Sequence, residues 1–157
     1  MPTLTLPGEL TSLDEIADLV LEQAALAGLD KHATYQLRLA VDELATNIVV
    51  HGYQEHGQTG NVVISADVDE RELTVVLEDT AVPYDPLKHD MEQVEENFDK
   101  PLEDRPIGGL GIFFVRQAVH DFRYEWLDGK NRNILIVHRP DATPVGTAVS
   151  ADGVSRT

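Results

Sequence analysis

Glu43, Asn47 and His51 recur at four-residue steps within the stretch Leu37–Gly52. On an α-helix that spacing stacks a carboxylate, an amide and an imidazole in one row. Leu37, Ala40, Val41, Leu44, Ala45 and Ile48 recur at three- and four-residue steps beside them, so the row runs along the edge of an apolar face. Two readings of the row stand open. In one, the Asn47 amide oxygen is a hard ligand for Mg²⁺, and Glu43, one turn earlier, takes a proton from an attacking hydroxyl. In the other, Glu43 and Asn47 are solvated polar residues and His51 complements the helix dipole in a C-terminal turn.

Two later stretches carry polar chemistry of their own. Gly108, Gly109, Leu110 and Gly111 stand where a helix should begin. Glycines there let backbone N–H groups converge on an anion, typically phosphate, or simply serve a turn. The stretch is not a P-loop, because no Gly-Lys-Ser/Thr follows, and its spacing is wrong for a dinucleotide fingerprint. Arg105, just before it, can contact a phosphate or pair with Glu103 or Asp104. Asp79 ends an expected strand. A buried carboxylate there is costly unless it accepts specific hydrogen bonds, and a purine exocyclic amine is one plausible donor. A turn-capping role is the alternative.

The elements that must position these residues follow from the pattern of the chain. Thr3–Leu6 alternates as a short strand ended by Pro7 and Gly8. Ser12 and Glu15 form a capping-box pattern that opens a helix through Ile16, Ala17, Val20, Leu21 and Ala24, stopping near Gly28. Asp30 can cap the helix that carries Glu43, Asn47 and His51 and ends at Gly52. Asn61–Val68 and Glu72–Glu78 read as an antiparallel hairpin with a tight turn at Asp69–Arg71. The prolines of Asp79–Pro86 mark a loop. Residues 87–105 are acidic and weakly periodic. A segment of that length reads either as a lid or binding segment or as a solvated short helix with coil. The glycine stretch then opens a helix through Ile112, Phe113, Val115, Ala118 and Val119. Phe122–Trp126 and Asn133–Val137 flank Asp128-Gly129, a strong hairpin signal. Residues 141–157 shift to Ala, Thr, Ser, Gly and Asp and read as a disordered tail. The order is β-α-α-β-β-lid-α-β-β, with hairpins dominating. It predicts one α/β domain, more strictly α+β, over 1–140: a two-layer sandwich with helices on one face of a mostly antiparallel mixed sheet.

Bulk composition narrows the function classes. A chain of 157 residues is long enough for one domain with a real core. The absence of cysteine removes disulfides, zinc–thiolate sites and a thiol nucleophile. The formal net charge of −16 disfavours nucleic acid, and an anionic nucleotide would need local donors and Mg²⁺ to overcome it. No signal peptide and no membrane-spanning run is expected. His32, His56, His120 and His138 show no metal-ligand spacing.

Taken in order, Glu43-x3-Asn47-x3-His51, Asp79-x-Ala81-x-Pro83 and Gly108-Gly109-Leu110-Gly111 resemble the nucleotide-binding boxes of the histidine-kinase-like ATPase superfamily. Within it the chain is similar to the bacterial anti-sigma factor serine-protein kinases. Glu43–Gly52 is similar to their N box, Val82–Pro86 to their first glycine box and Gly108–Gly111 to their second, a resemblance covering roughly residues 10–138. It implies a Bergerat-type ATP-binding fold with a lid at about residues 87–105. Glu43 would be the general base acting on a serine hydroxyl, Asn47 the Mg²⁺ ligand and Asp79 the partner of the adenine amine. Gly108, Gly109, Leu110 and Gly111 would pass the phosphates, and His51, Ala81, Pro83 and Arg105 would complete the nucleotide site. The implied activity is transfer of the ATP γ-phosphoryl group to an antagonist (anti-anti-sigma) protein, coupled to sequestration of a sigma factor in the cytoplasm. The resemblance allows a homodimer and involves neither nucleic acid nor membrane. Relatives usually carry Gly where Ala81 stands, and many carry Gly-Thr where Arg132-Asn133 stands. Both departures bear on nucleotide affinity rather than fold, Ala81 because Gly reaches conformations that Ala does not. The alternative is a non-catalytic nucleotide- or partner-binding regulatory module of the same fold.

Overall fold

The computed structural model describes residues 1–88 and 111–140. Strand β1 (Thr3–Pro7) leads to helix α1 (Leu13–Ala27) and helix α2 (Lys31–Asn47). Strands β2 (Asn61–Val68) and β3 (Glu72–Asp79) follow, then helix α3 (Gly111–Ala118) and strands β4 (Asp121–Leu127) and β5 (Lys130–His138). The five strands form one sheet in the order β1-β2-β3-β5-β4. Every pairing among the described residues is antiparallel. The expected α+β architecture is present, without the parallel pair that a mixed sheet would contain.

Alternation decides which residues the helices cover. Leu73, Val75 and Leu77 of β3 are fully buried, as are Ile64 of β2 and Leu135 of β5. They meet Ile16, Val20, Leu37, Val41 and Leu44 of the helices in one core. Each such aliphatic side chain contributes roughly 1.5–3 kcal/mol relative to its exposed state. The same alternation carries a polar residue to the end of the apolar row on two neighbouring strands. Asp79 follows Leu73, Val75 and Leu77 on the covered face of β3, and Asn131 and Asn133 precede Leu135 and Val137 on that of β5. Register places Asp79 opposite Asn131 and Leu77 opposite Asn133.

Local chemistry sets the element ends. The Asp30 side chain accepts from the Ala33 N–H at 2.8 Å and caps α2 as expected. Gly28 ends α1 at φ 79°, and Asp128 and Gly129 join β4 to β5 at φ 54° and 75°. Asp69 closes the β2–β3 turn by accepting from the N–H groups of Arg71 and Glu72 at 2.7 and 2.8 Å. The capping box at Ser12 does not form: Ser12 has helical backbone angles, and its hydroxyl donates to the Pro7 carbonyl at 2.7 Å. A single 3₁₀ turn, Leu10–Ser12, enters α1 instead and takes the hydroxyl away from the free N–H groups. Arg139 is buried beyond β5, with Nε donating to the Ala27 carbonyl at 3.0 Å and Nη1 to that of Asp69 at 2.8 Å. It ties the sheet to the C-terminus of α1.

The helix bearing the polar row departs from its expected form. It starts at Lys31 and passes at Ile48 into a π-helical segment, Ile48–Tyr53. Single π turns inside helices are rare and often sit at functional sites. Here the wider turn carries Tyr53 into the core. Its ring packs against Gly8 and Gly60, where an added Cβ would lie 2.7 Å from ring atoms. Its hydroxyl donates to the Asn61 carbonyl at 2.7 Å and accepts from the Thr80 N–H at 3.0 Å.

Candidate functional site

A cleft opens between α2 and the ends of β3 and β5. Leu44, Asn47, Ile48 and Gly52 form its helical wall. Asp79, Asn131 and Asn133 form its floor, and Val82, Tyr84 and Pro86 its outer lip. The apolar wall over a polar floor suits a flat, partly polar ring.

Asp79 is 4% exposed. Its Oδ1 accepts from the Ala81 N–H at 3.0 Å and from Asn131 Nδ2 at 2.9 Å. Burial pushes its pKa up, and these two hydrogen bonds pull it back. Among the described residues nothing donates to Oδ2. Asp79 therefore has the costly burial anticipated for it, and it also closes its own turn. The turn-closing contact is made by Oδ1 alone.

Asn131 was not singled out from sequence, yet it organises the loop after β3. Nδ2 also donates to the carbonyls of Ala81 and Val82 at 3.3 and 3.0 Å. Oδ1 accepts from the Tyr84 N–H at 2.9 Å and from the Tyr124 hydroxyl. Asn133 is 3% exposed and its Oδ1 has no hydrogen-bond partner among the described residues. A buried carbonyl oxygen left open costs on the order of 1–3 kcal/mol unless a ligand or water fills it. The signal for both residues was the period of two along β5, which puts Asn131 and Asn133 on the face of Leu135 and Val137. Arg132 points to the other face and pairs with Glu78 at 2.7 Å and with Glu125. Of the Arg132-Asn133 departure, only Asn133 meets the cleft.

Asn47 lines the cleft. Glu43 lies one turn earlier, outside the cleft lining, with its carboxylate against Gly111 at the start of α3. Burial raises its pKa, and the nearby His51 lowers it in part. His51 does not line the cleft; its Nδ1 lies 2.8 Å from Glu55 Oε2. The four-residue row ends at Asn47 because the π turn begins at the next residue. Pro83 and Ala81 are likewise absent from the cleft lining. The Ala81 methyl is buried in the core, where an added Cβ on Gly52 would meet it at 3.1 Å. Ala81 has no positive φ, so its backbone does not need glycine. Arg105, Gly108, Gly109 and Leu110 lie outside the described residues, as do the tail and nearly all of the expected lid.

Among the described residues no group of three or more His, Cys, Asp or Glu side chains is placed to hold a metal. Asn47 offers one neutral oxygen. That fits Mg²⁺ only where waters and ligand phosphates supply the remaining positions, which is how this ion usually binds in phosphoryl-transfer sites. No helix among the described residues is long and apolar enough to cross a membrane.

Comparison with known proteins agrees with this fold. The family described as histidine kinase-like ATPase domain matches residues 6–138. The chain is 28% identical over 100 residues to the anti-sigma F factor of Clostridium acetobutylicum, across 64% of this chain and 66% of that protein. It is 28% identical over 87 residues to the serine-protein kinase RsbW of Bacillus thuringiensis, across 55% of this chain and 53% of that one. For the RsbW kinase of a Bacillus cereus strain the identity is 30% over 89 residues, with the same coverage of 55% and 53%. The chain thus spans under two thirds of the length of the first of these relatives and about half that of the other two.

Proposed function

The chain belongs to the histidine kinase-like ATPase domain family, and on that premise we propose that it is an ATP- and Mg²⁺-dependent serine protein kinase of the anti-sigma regulatory type. It phosphorylates a serine of an antagonist protein and, in its other state, sequesters a sigma factor in the cytoplasm. The observation that carries the reading is the grouping of Asn47 and Asp79 in one cleft with Glu43 a helical turn away.

In this reading Asp79 Oδ2 would accept from the adenine amine, and Leu44, Ile48 and Val82, which line the cleft, would pack against the ring. Asn47 would hold Mg²⁺ through its amide oxygen, and the ion would offset the charge of the phosphates against a net −16 chain. Glu43 is the general base. Its carboxylate takes the proton of the serine hydroxyl as the serine oxygen bonds to the γ-phosphorus and the bond from that phosphorus to the ADP oxygen breaks. A half-buried carboxylate with a raised pKa is a better base than an ordinary exposed one. The phosphate turn at Gly108–Gly111 and the lid belong to the same proposal.

The test is capture of partners from the source organism, followed by transfer of labelled γ-phosphate to what is recovered, with and without EDTA. Magnesium-dependent label on a serine of a captured protein supports the reading. Bound ATP with no transfer to any captured partner replaces it with the non-catalytic binding module.

A further inference from the structure

We infer that Asn131 sets the base selectivity of the cleft, by occupying one oxygen of Asp79 so that the carboxylate can accept from an adenine amine but not from the paired donors of guanine. The inference rests on the nucleotide reading above and adds to it a selectivity residue from a different strand.

A carboxylate has two oxygens and about four acceptor positions. Guanine presents two adjacent donors on its Watson–Crick edge, N1–H and the N2 amine, which fit the two oxygens of one carboxylate side by side. Adenine presents its N6 amine beside N1, which is an acceptor, and needs one carboxylate oxygen only. Asp79 Oδ1 already accepts from Ala81 N–H and from Asn131 Nδ2, at 3.0 and 2.9 Å. Oδ2 alone remains for a ligand. A guanine edge placed there would face a filled oxygen with its second donor, in a site too buried for water to compensate freely.

Asn131 cannot turn aside to make room. It is 3% exposed and every part of its amide is engaged. The carbonyls of Ala81 and Val82 need its donor end, while the Tyr84 N–H and the Tyr124 hydroxyl need its acceptor end. The network therefore fixes which way the amide points, with Nδ2 toward Asp79. Ala81 N–H is equally fixed, since the Ala81 methyl is packed in the core.

The experiment is a fluorescence titration of the full chain, with Mg²⁺, against ADP and GDP carrying the same ribose-linked fluorophore. Wild type is expected to prefer ADP by on the order of tenfold to a hundredfold, the cost of one unpaired buried donor. Asn131→Ala opens one of the two filled acceptor positions of Oδ1, the other staying with Ala81 N–H, and should reduce that preference to roughly a third or less of its wild-type value, chiefly by tightening GDP relative to ADP. Circular dichroism checks that the variant folds. If it does not, Tyr124→Phe loosens the amide without removing it and should reduce the preference severalfold. Equal affinities in wild type overturn the inference while leaving nucleotide binding intact. So does an unchanged preference in folded Asn131→Ala, or in Tyr124→Phe where the first variant fails to fold. Binding of neither nucleotide by wild type overturns the nucleotide reading, and this inference falls with it.

Discussion

Gly111 and Glu43 are in direct contact: a Cβ added to Gly111 would stand 2.1 Å from Oε2 of Glu43 and 2.3 Å from its Cδ. Glu43 projects from α2, and α3 packs against that helix. The start of α3 is thus seated directly on the proposed base. Gly111→Ala should push the Glu43 side chain aside from Cγ outward, at a cost of about 1–3 kcal/mol. Phosphotransfer should fall at least about tenfold, because a displacement of about an ångström is costly to catalysis. Labelled-phosphate transfer and thermal melting on the same preparation check this; an unchanged rate would mean that Glu43 moves without consequence.

The pH profile should carry the signature of the same group. Glu43 must be ionised to take a proton, and burial raises its pKa above the ordinary 4.5. The rate should therefore rise with pH through a limb that lies above the usual carboxylate range. Glu43→Gln should abolish the limb and lower the rate by about 10²–10⁴-fold with nucleotide binding nearly intact. Single-turnover transfer across the acidic range, with folding followed in parallel, makes the comparison.

Asp79 is expected to trade stability for binding. Its folded pKa is raised by burial above 3.8. A raised carboxylate contributes stability that is fully present below the unfolded pKa and is lost as pH rises through the folded one. Asp79→Asn keeps an oxygen for Ala81 N–H and Asn131 and removes the buried charge. Its melting temperature should equal or exceed that of wild type at neutral pH, and the difference should shrink as the pH falls toward 4. Adenine nucleotide affinity should drop by roughly 10- to 100-fold, since a donor then faces the amine. Melting curves at several pH values and a titration with ADP test both halves.

Ala81→Gly should cost stability without tightening nucleotide binding. The methyl packs in the core near Gly52, not into the cleft, and Ala81 is 2% exposed. Losing one buried methyl and adding backbone freedom in the unfolded chain costs about 1–2 kcal/mol together. A melting temperature lower by a few degrees with unchanged ADP affinity is the expected result. Tighter binding in the glycine variant would show that the methyl crowds the ligand after all.

Much of the architecture was legible in residue pattern because it depends on local physics. The β2–β3 hairpin, the β4–β5 turn at Asp128-Gly129, the Asp30 cap and the apolar face of α2 all rest on neighbours a few residues apart. Ser12 shows the limit of that reasoning, since its hydroxyl had a choice of acceptor and donor groups and took the Pro7 carbonyl. The π turn at Ile48 was not foreseen because it leaves no composition signal of its own, and it ended the row before His51.

Residue types and spacing alone determined that Glu43 and Asn47 share one edge of a helix beside the core, and that Asp79 closes a strand. The three boxes in order also determined the family. Tertiary structure decided what faces each of them. Asn131 reaches Asp79 across 52 positions of chain because antiparallel register sets β3 against β5. Gly52 stands beside Ala81, and Gly111 against Glu43, because helices and strand ends distant in sequence pack together. Periodicity names the face a side chain belongs to. It does not carry the register or helix packing that brings two faces together, and those contacts decide which oxygen of Asp79 the described residues donate to.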